Sequence, residues 1–156
     1  MATRVQLRRG TTLQNDAFTG AVGELTYDTT SKGMRIHDGS TQGGTLVDTV
    51  VSFIKPTAGN NYSWARVYAS GWVEQGGVTQ SGSVAQTVTL LVPMSQYTIM
   101  ITGMSNDLSS LNNVVVCGYE DVTTTGFTVR GNVVNKNSQT SADTSAKSWY
   151  ACGMAL

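Results

Sequence analysis

One stretch restricts the fold more than any other: GELTYDTTSKGMRIHDG, residues 23–39. It splits into two β-prone segments, Glu24–Tyr27 and Met34–His37, around the turn-rich DTTSKG. Pairing Tyr27 with Met34 sets Leu25 opposite Ile36, so all four apolar residues share one face. The other face then pairs Thr26 with Arg35 and Glu24 with His37. A hairpin this small does not bury enough surface to stand alone. Its apolar face therefore needs a cover, from partner chains or from a neighbouring domain.

Residues 45–61 read as a connector. TLVDTVVSFI is rich in β-branched residues, yet Leu46, Val50 and Phe53 also fit a heptad seam, so strand and short coil are both open. Pro56 and the TAGNN that follows mark a boundary. From Tyr62 onward the pattern is all-β. In YSWARVYASGW, Tyr62, Trp64, Arg66 and Tyr68 alternate with Ala65, Val67 and Ala69. Further runs lie at Val84–Val92, Tyr97–Met104, Asn113–Tyr119, Phe127–Arg130 and Ser148–Met154, separated by polar turn clusters. The expected architecture is all-β: a small hairpin module over residues 1–44, the connector 45–61, and an antiparallel β-sandwich over residues 62–156.

Only 13% of the residues are charged, about half the usual ~25%. Ten basic residues balance ten acidic ones. Without a basic field to neutralise phosphates, nucleic acid is not an expected partner. No apolar run approaches the ~18 residues of a membrane span, so no insertion is expected. The basic opening MATRVQLRRGTT lacks the apolar core of a signal peptide. The two cysteines, Cys117 and Cys152, have no CxxC context. They read as buried free thiols, a disulfide being open only if their strands are neighbours.

Any Ser-His-Asp or Cys-His site would have to use His37, the single histidine. No G-x-S-x-G elbow is present, and the hairpin register offers Glu24 as a cross-strand partner for the imidazole. A structural Glu24–His37 pair is expected, and no catalytic residues. Acidic positions such as Glu24, Asp28, Glu74, Glu120 and Asp121 are no denser than in any β protein, so a glycosidase pair is not implied. GSTQGG, Gly39–Gly44, lacks the lysine of a phosphate loop, and Asp38–Gly39 reads as a turn instead. No metal or cofactor is expected, since ligands do not cluster. One exception would be three copies of His37 meeting at a trimer axis. The ladder Trp64–Arg66–Tyr68, with Trp72 beyond it, is either a sugar-stacking platform or, as we expect, a core with a stacked guanidinium.

These residues carry a wider pattern. Arg4–Gly44, with LRRGT at Leu7–Thr11, GELTYD at Gly23–Asp28 and IHDGSTQGG at Ile36–Gly44, resembles the N-terminal module of tailed-bacteriophage fibre and receptor-binding proteins. Kin of that module open hyaluronidase-type tail spikes and the major tropism determinant. Downstream, WARVYASGWVEQGG (Trp64–Gly77), GFTV (Gly126–Val129) and WYACG (Trp149–Gly153) resemble a C-terminal tail-fibre β domain. The resemblance implies a homotrimeric virion protein, made in the bacterial cytoplasm, that docks on other tail or baseplate proteins and attaches to a host surface receptor, a polysaccharide among the options. Trimerisation would then cover the hairpin's apolar face. The chain lacks a long shaft and the domain in which hyaluronidase-type relatives do chemistry, so it is expected not to be an enzyme. Virion docking is assigned to the arm containing Arg4, Gln6, Arg8 and Arg9. Receptor binding is assigned to the long polar loop Asn132–Lys147, through Asn135, Lys136, Asn137, Ser138, Gln139 and Thr140, because exposed Asn, Ser, Thr and Gln supply adaptable hydrogen bonding. The rival readings are a head fibre or capsid decoration protein and a small polysaccharide depolymerase.

Overall fold

The computed structural model describes residues 6–103, 113–135, 137 and 140–156. The chain is nearly all-β and divides into two compact units. The first takes in residues up to Ser52 together with Val67–Trp72, the second Phe53–Arg66 together with Val73–Leu156.

The first unit is built on a four-stranded sheet in the order β1-β2-β3-β4. These strands are β1 (Arg8–Gly10), β2 (Leu25–Asp28), β3 (Met34–Ile36) and β4 (Thr45–Val47). β1 runs parallel to β2, Arg8 opposite Thr26 and Gly10 opposite Asp28, while the other pairs are antiparallel. A parallel pair needs a crossover, and the short helix α1 (Thr12–Asp16) supplies its first turn. α1 is held by a capping box. The Gln14 N–H donates to Thr11 Oγ1 at 3.3 Å, and the Thr11 N–H donates to Gln14 Oε1 at 2.9 Å.

The β2–β3 register is the expected one: Leu25 faces Ile36, Thr26 faces Arg35 and Tyr27 faces Met34. The sense of burial is the reverse of what a hairpin's apolar face suggests. Thr26 and Asp28 are 0% exposed, His37 is 1% exposed and Arg35 is buried, whereas Ile36 is 47% exposed and Leu25, Tyr27 and Met34 are half-buried. The unit's interior is thus made by the polar face. The segment after it, left open between strand and coil, is strand: β4 pairs with β3, and β5 (Val50–Ile54) follows.

The second unit carries β6 (Trp64–Tyr68), β7 (Trp72–Val78), β8 (Ala85–Thr89), β9 (Met94–Gly103), β10 (Asn113–Thr123), β11 (Gly126–Asn135), β12 (Thr140–Ala142) and β13 (Lys147–Ala155). One sheet has the order β5-β6-β7-β13-β9. The other has the order β10-β11-β12, with β8 also paired to β11. Phe127 of β11 meets Trp149 of β13 edge-on, ring centroids 5.8 Å apart, and Tyr97 of β9 donates its hydroxyl to the Thr123 carbonyl at 2.7 Å. Side chains from both sheets therefore share one core, with Ala65, Val73, Val88, Met94, Ile99, Val129 and Ala151 buried alongside. Where β13 passes β9, a Cβ on Gly153 would stand 2.0 Å from the Gln96 carbonyl oxygen, so only glycine fits there.

Two expectations fail in this unit. The aromatic ladder is not the core. Ala65 and Ala69 are buried, while Trp64 and Tyr68 are half-buried and Tyr62 and Arg66 are exposed. The inward position of β6 is taken by the small Ala65. The stacked guanidinium is present: Arg66 lies 5.6 Å from the Trp64 ring and 5.5 Å from the Phe53 ring. Nor is Asn132–Lys147 one long loop. β11 continues to Asn135, and β12 returns with Val133 opposite Ser141 and Val134 opposite Thr140. The β-branched pair Val133–Val134 favours strand and extends the ladder into polar sequence.

Candidate functional site: the N-terminal module and the polar hairpin tip

The polar interior of the first unit is organised by Arg35. Its Nη2 donates to Asp28 Oδ2 at 3.0 Å, and its Nη1 reaches the Gly43 carbonyl at 3.0 Å and Asp16 Oδ1 at 2.7 Å. Asp28 Oδ1 accepts from Thr12 Oγ1, the Thr30 N–H and the Ser31 N–H, each at 3.0 Å. Burial alone would raise the Asp28 pKa. The donors from Ser31, Thr12, Arg35 and Thr30 outweigh it and hold the carboxyl below its ordinary value. One guanidinium thereby joins α1, the β2–β3 turn and the GSTQGG segment, which is a turn, as expected. Asp38 closes the start of that segment, accepting from the Ser40 and Thr41 backbone and hydroxyl groups. These bonds, Thr41's first, drive its pKa far down.

His37 sits in the same interior, but not as a partner of the Glu24 side chain. The two residues pair through the backbone, the His37 N–H donating to the Glu24 carbonyl at 3.0 Å. The imidazole turns the other way. Its Nδ1 accepts from the Gly20 N–H at 3.2 Å, so Nε2 carries the proton and donates to Thr26 Oγ1 at 3.0 Å. Phe18 packs edge-on against the ring at 5.2 Å. A Cβ on Gly20 would stand 2.6 Å from His37 Cγ, and one on Gly44, at φ +61°, 2.8 Å from Nδ1. Both ring nitrogens are spent inside the module, so the histidine is a packing and bridging residue. The Glu24 carboxylate instead accepts from the Ala21 N–H and from Arg8 Nε, each at 2.9 Å. The Ala21 bond is the larger cause of its lowered pKa. Glycines at positions 20 and 44, flanking the histidine in space, are the sequence signal that enclosure leaves.

Of the four docking-arm residues, Arg4 lies outside the described residues, and Gln6 and Arg9 are exposed. Arg8 is braced within the unit. Its guanidinium stacks 4.3 Å over the Phe18 ring while paired to Glu24. Among the described residues of the arm, Arg8–Gly10 form an edge strand of the module, and Arg9 is exposed on it.

At the far end of β11, Asn135 closes the strand, Asn137 lies in a turn and Thr140 opens β12. Lys136, Ser138 and Gln139 lie outside the described residues. Of the six candidates, the three described ones, Asn135, Asn137 and Thr140, lie where β11 ends and β12 begins, and Thr140 is exposed. Cys117 on β10 and Cys152 on β13 are half-buried free thiols in different sheets. Burial pushes the Cys117 thiol up. Tyr150, between Glu74 and Cys152, rises to about 12, chiefly from burial and then from the Glu74 charge. Among the described residues, no group of three or more His, Cys, Asp or Glu side chains is placed to hold a metal ion.

The first unit is therefore a small β module with a hydrogen-bonded polar interior and an apolar face that is half-buried at Leu25, Tyr27 and Met34 and exposed at Ile36. Residues 5–41 match the family described as the major tropism determinant N-terminal domain. The chain is 52% identical over 44 residues to the tail fiber receptor-binding protein of Bordetella phage BPP-1, an alignment covering 28% of this chain and 12% of that protein. The chain thus spans a small part of the length of the curated relative that it matches. Among solved structures, the P3c variant of the major tropism determinant aligns over 55% of this chain and 20% of its own, at 29% identity and a TM-score of 0.28. The U1 variant aligns over 92% and 42%, at 20% identity and a TM-score of 0.28.

Proposed function

We propose that this chain is a structural, non-enzymatic virion protein of a tailed phage: a short homotrimeric tail fibre or tip that attaches the particle to its host. The observation that carries this reading is the N-terminal match, whose residues 5–41 include Asp28, Arg35 and His37. The module of residues 1–44 docks on other tail or baseplate proteins through the β1 edge and Arg9. Residues 45–61 connect it to the host-facing β-sandwich of residues 62–156. Three copies cover the face formed by Leu25, Tyr27, Met34 and Ile36, and the β11–β12 tips at Asn135–Thr140 point to a host surface receptor. Two arms test the reading: antibody labelling of intact particles, and adsorption after host cells are pre-treated with the purified protein. Label at the tail and blocked adsorption are expected. Label on the capsid with undiminished adsorption would overturn the reading in favour of a head fibre or decoration protein.

A further inference from the structure

The β8–β10–β11–β12 sheet ends in two unguarded edges. Leu90 donates its N–H to the Thr125 carbonyl at 2.9 Å, which fixes the phase of the β8–β11 ladder. Val88, opposite Phe127, and Gln86, opposite Val129, direct their backbone groups to β11, and Thr87 and Thr89 direct theirs away. The Asp143 N–H, donating to the Gly131 carbonyl on the same side of β11, agrees with that phase. The even-numbered residues of β11 then serve β10, leaving the backbone groups of Val115, Cys117 and Tyr119 facing outward. Among the described residues, no strand pairs with either outer edge.

Exposed edges are normally blunted by charge, proline or a bulge. β8, AQTVT, has none of these and borders a groove of about 330 Å³ lined without a single charged side chain. β10 keeps its charges and its irregular pairing for the Glu120–Thr123 end, so Asn113–Tyr119 is unguarded. On that stretch Val114 and Val116 are 62% and 56% exposed. An uncharged groove and an uncharged, valine-rich edge are complementary, and they are opposite ends of one sheet.

Resting on the homotrimeric reading above, we infer that the β8 edge of one copy receives the β10 edge of the next. Such a contact joins two different surfaces, and contacts of that kind close into a ring when the rotation fits. β8 and β10 both run antiparallel to β11 and hence in the same direction. A three-fold axis along the strands therefore makes the new pair parallel and the sheet continuous around the trimer. The occupant of the groove is a second copy of this chain.

Amide hydrogen exchange followed by NMR on the intact protein tests this, with light scattering on the same sample. The Thr87, Thr89 and Cys117 N–H groups, which have no strand partner among the described residues, are expected to exchange as slowly as Val88 while the mass is that of three chains. Thr87→Lys, at an exposed side chain, is expected to raise the dissociation constant tenfold or more with the circular dichroism unchanged. A trimer whose Thr87 and Thr89 amides exchange freely, or whose dissociation is unmoved by Thr87→Lys, would overturn the edge pairing while sparing the trimer. The groove would then be open to a saccharide or to a foreign strand. A monomer would overturn both.

Discussion

The two units solve the problem of a small β fold with different mixtures of burial. The second buries Phe127, Trp149, Val73, Val129 and Met94 between two sheets, and with them Gln75 and the Lys147–Asp143 ion pair. The first buries Thr26, Asp28, Arg35, His37 and Asn15, and leaves its apolar stripe of Leu25, Tyr27, Met34 and Ile36 half-covered or exposed. Few residues separate its sheet from α1 and the GSTQGG turn, so there is no volume for a packed apolar core. A fixed set of directional bonds around one guanidinium does the same work. The lesson is that alternation in a strand names two faces without saying which is inside. This module turns a largely hydrogen-bonded polar face inward, with Arg35 Nε and Ser31 Oγ lacking a partner among the described residues, and leaves its apolar face half-covered or exposed.

The comparison is broken most directly by removing one keystone from each unit. Asp28→Ala leaves the buried Arg35 without its main counter-charge and should cost about 3–5 kcal/mol. Phe127→Ala opens a cavity between the sheets and should cost about 3–5 kcal/mol. Hydrogen exchange resolved along the chain should place each loss in its own unit. If Asp28→Ala were harmless, or if Asp28→Leu were as stable as the native residue, the polar interior would be incidental.

Acid should act on both interiors. Folding depresses the Asp28 pKa below its reference value of 3.8. Its contribution is therefore full above that value and disappears as the pH falls through the folded-state value. Asp143, beside the buried Lys147 at 3.0 Å, has the same sign, burial opposing it and the Ser145 and Lys147 bonds prevailing. Both units should therefore lose protection as the pH falls below 3.8, the first through Asp28 and the second through Asp143, although the Phe127–Trp149 contact itself does not titrate. Protection in either unit that did not change on acidification would show that its buried carboxylate contributes nothing.

Smaller effects sharpen the comparison. Thr11→Ala removes the side-chain half of the capping box and should cost about 1 kcal/mol. Arg8→Ala loses an exposed ion pair and a stacking contact on Phe18, together about 0.5–1 kcal/mol. Chemical denaturation of each variant checks both values, and a loss above that of Asp28→Ala would make the arm, not the interior, the module's keystone.

The sequence made the β2–β3 register readable because Leu25, Tyr27, Met34 and Ile36 allow one alignment only. Its inside-out sense was not readable, since Thr26, Asp28, Arg35 and His37 alternate equally well and their partners, Gly20, Gly43 and Thr12, come from outside the hairpin. Thr11-x-x-Gln14 is a visible capping signal that predicts α1 and passed unread. The strands of the second unit were legible from apolar runs, and β12 was not, because TSA takes its strand state from pairing with Val133 and Val134. The docking arm was found as a basic segment. That Arg8 is committed to Phe18 and Glu24 required the fold.

The central claim, that the exposed apolar face of the first unit is an assembly surface, is tested by light scattering of the native protein beside an Ile36→Asp variant. Ile36 is already 47% exposed, so the substitution spares the single-chain fold. The account predicts a mass of three chains for the native protein and a lower mass for Ile36→Asp, with unchanged circular dichroism. A native monomer, or a trimer indifferent to Ile36→Asp, would contradict it.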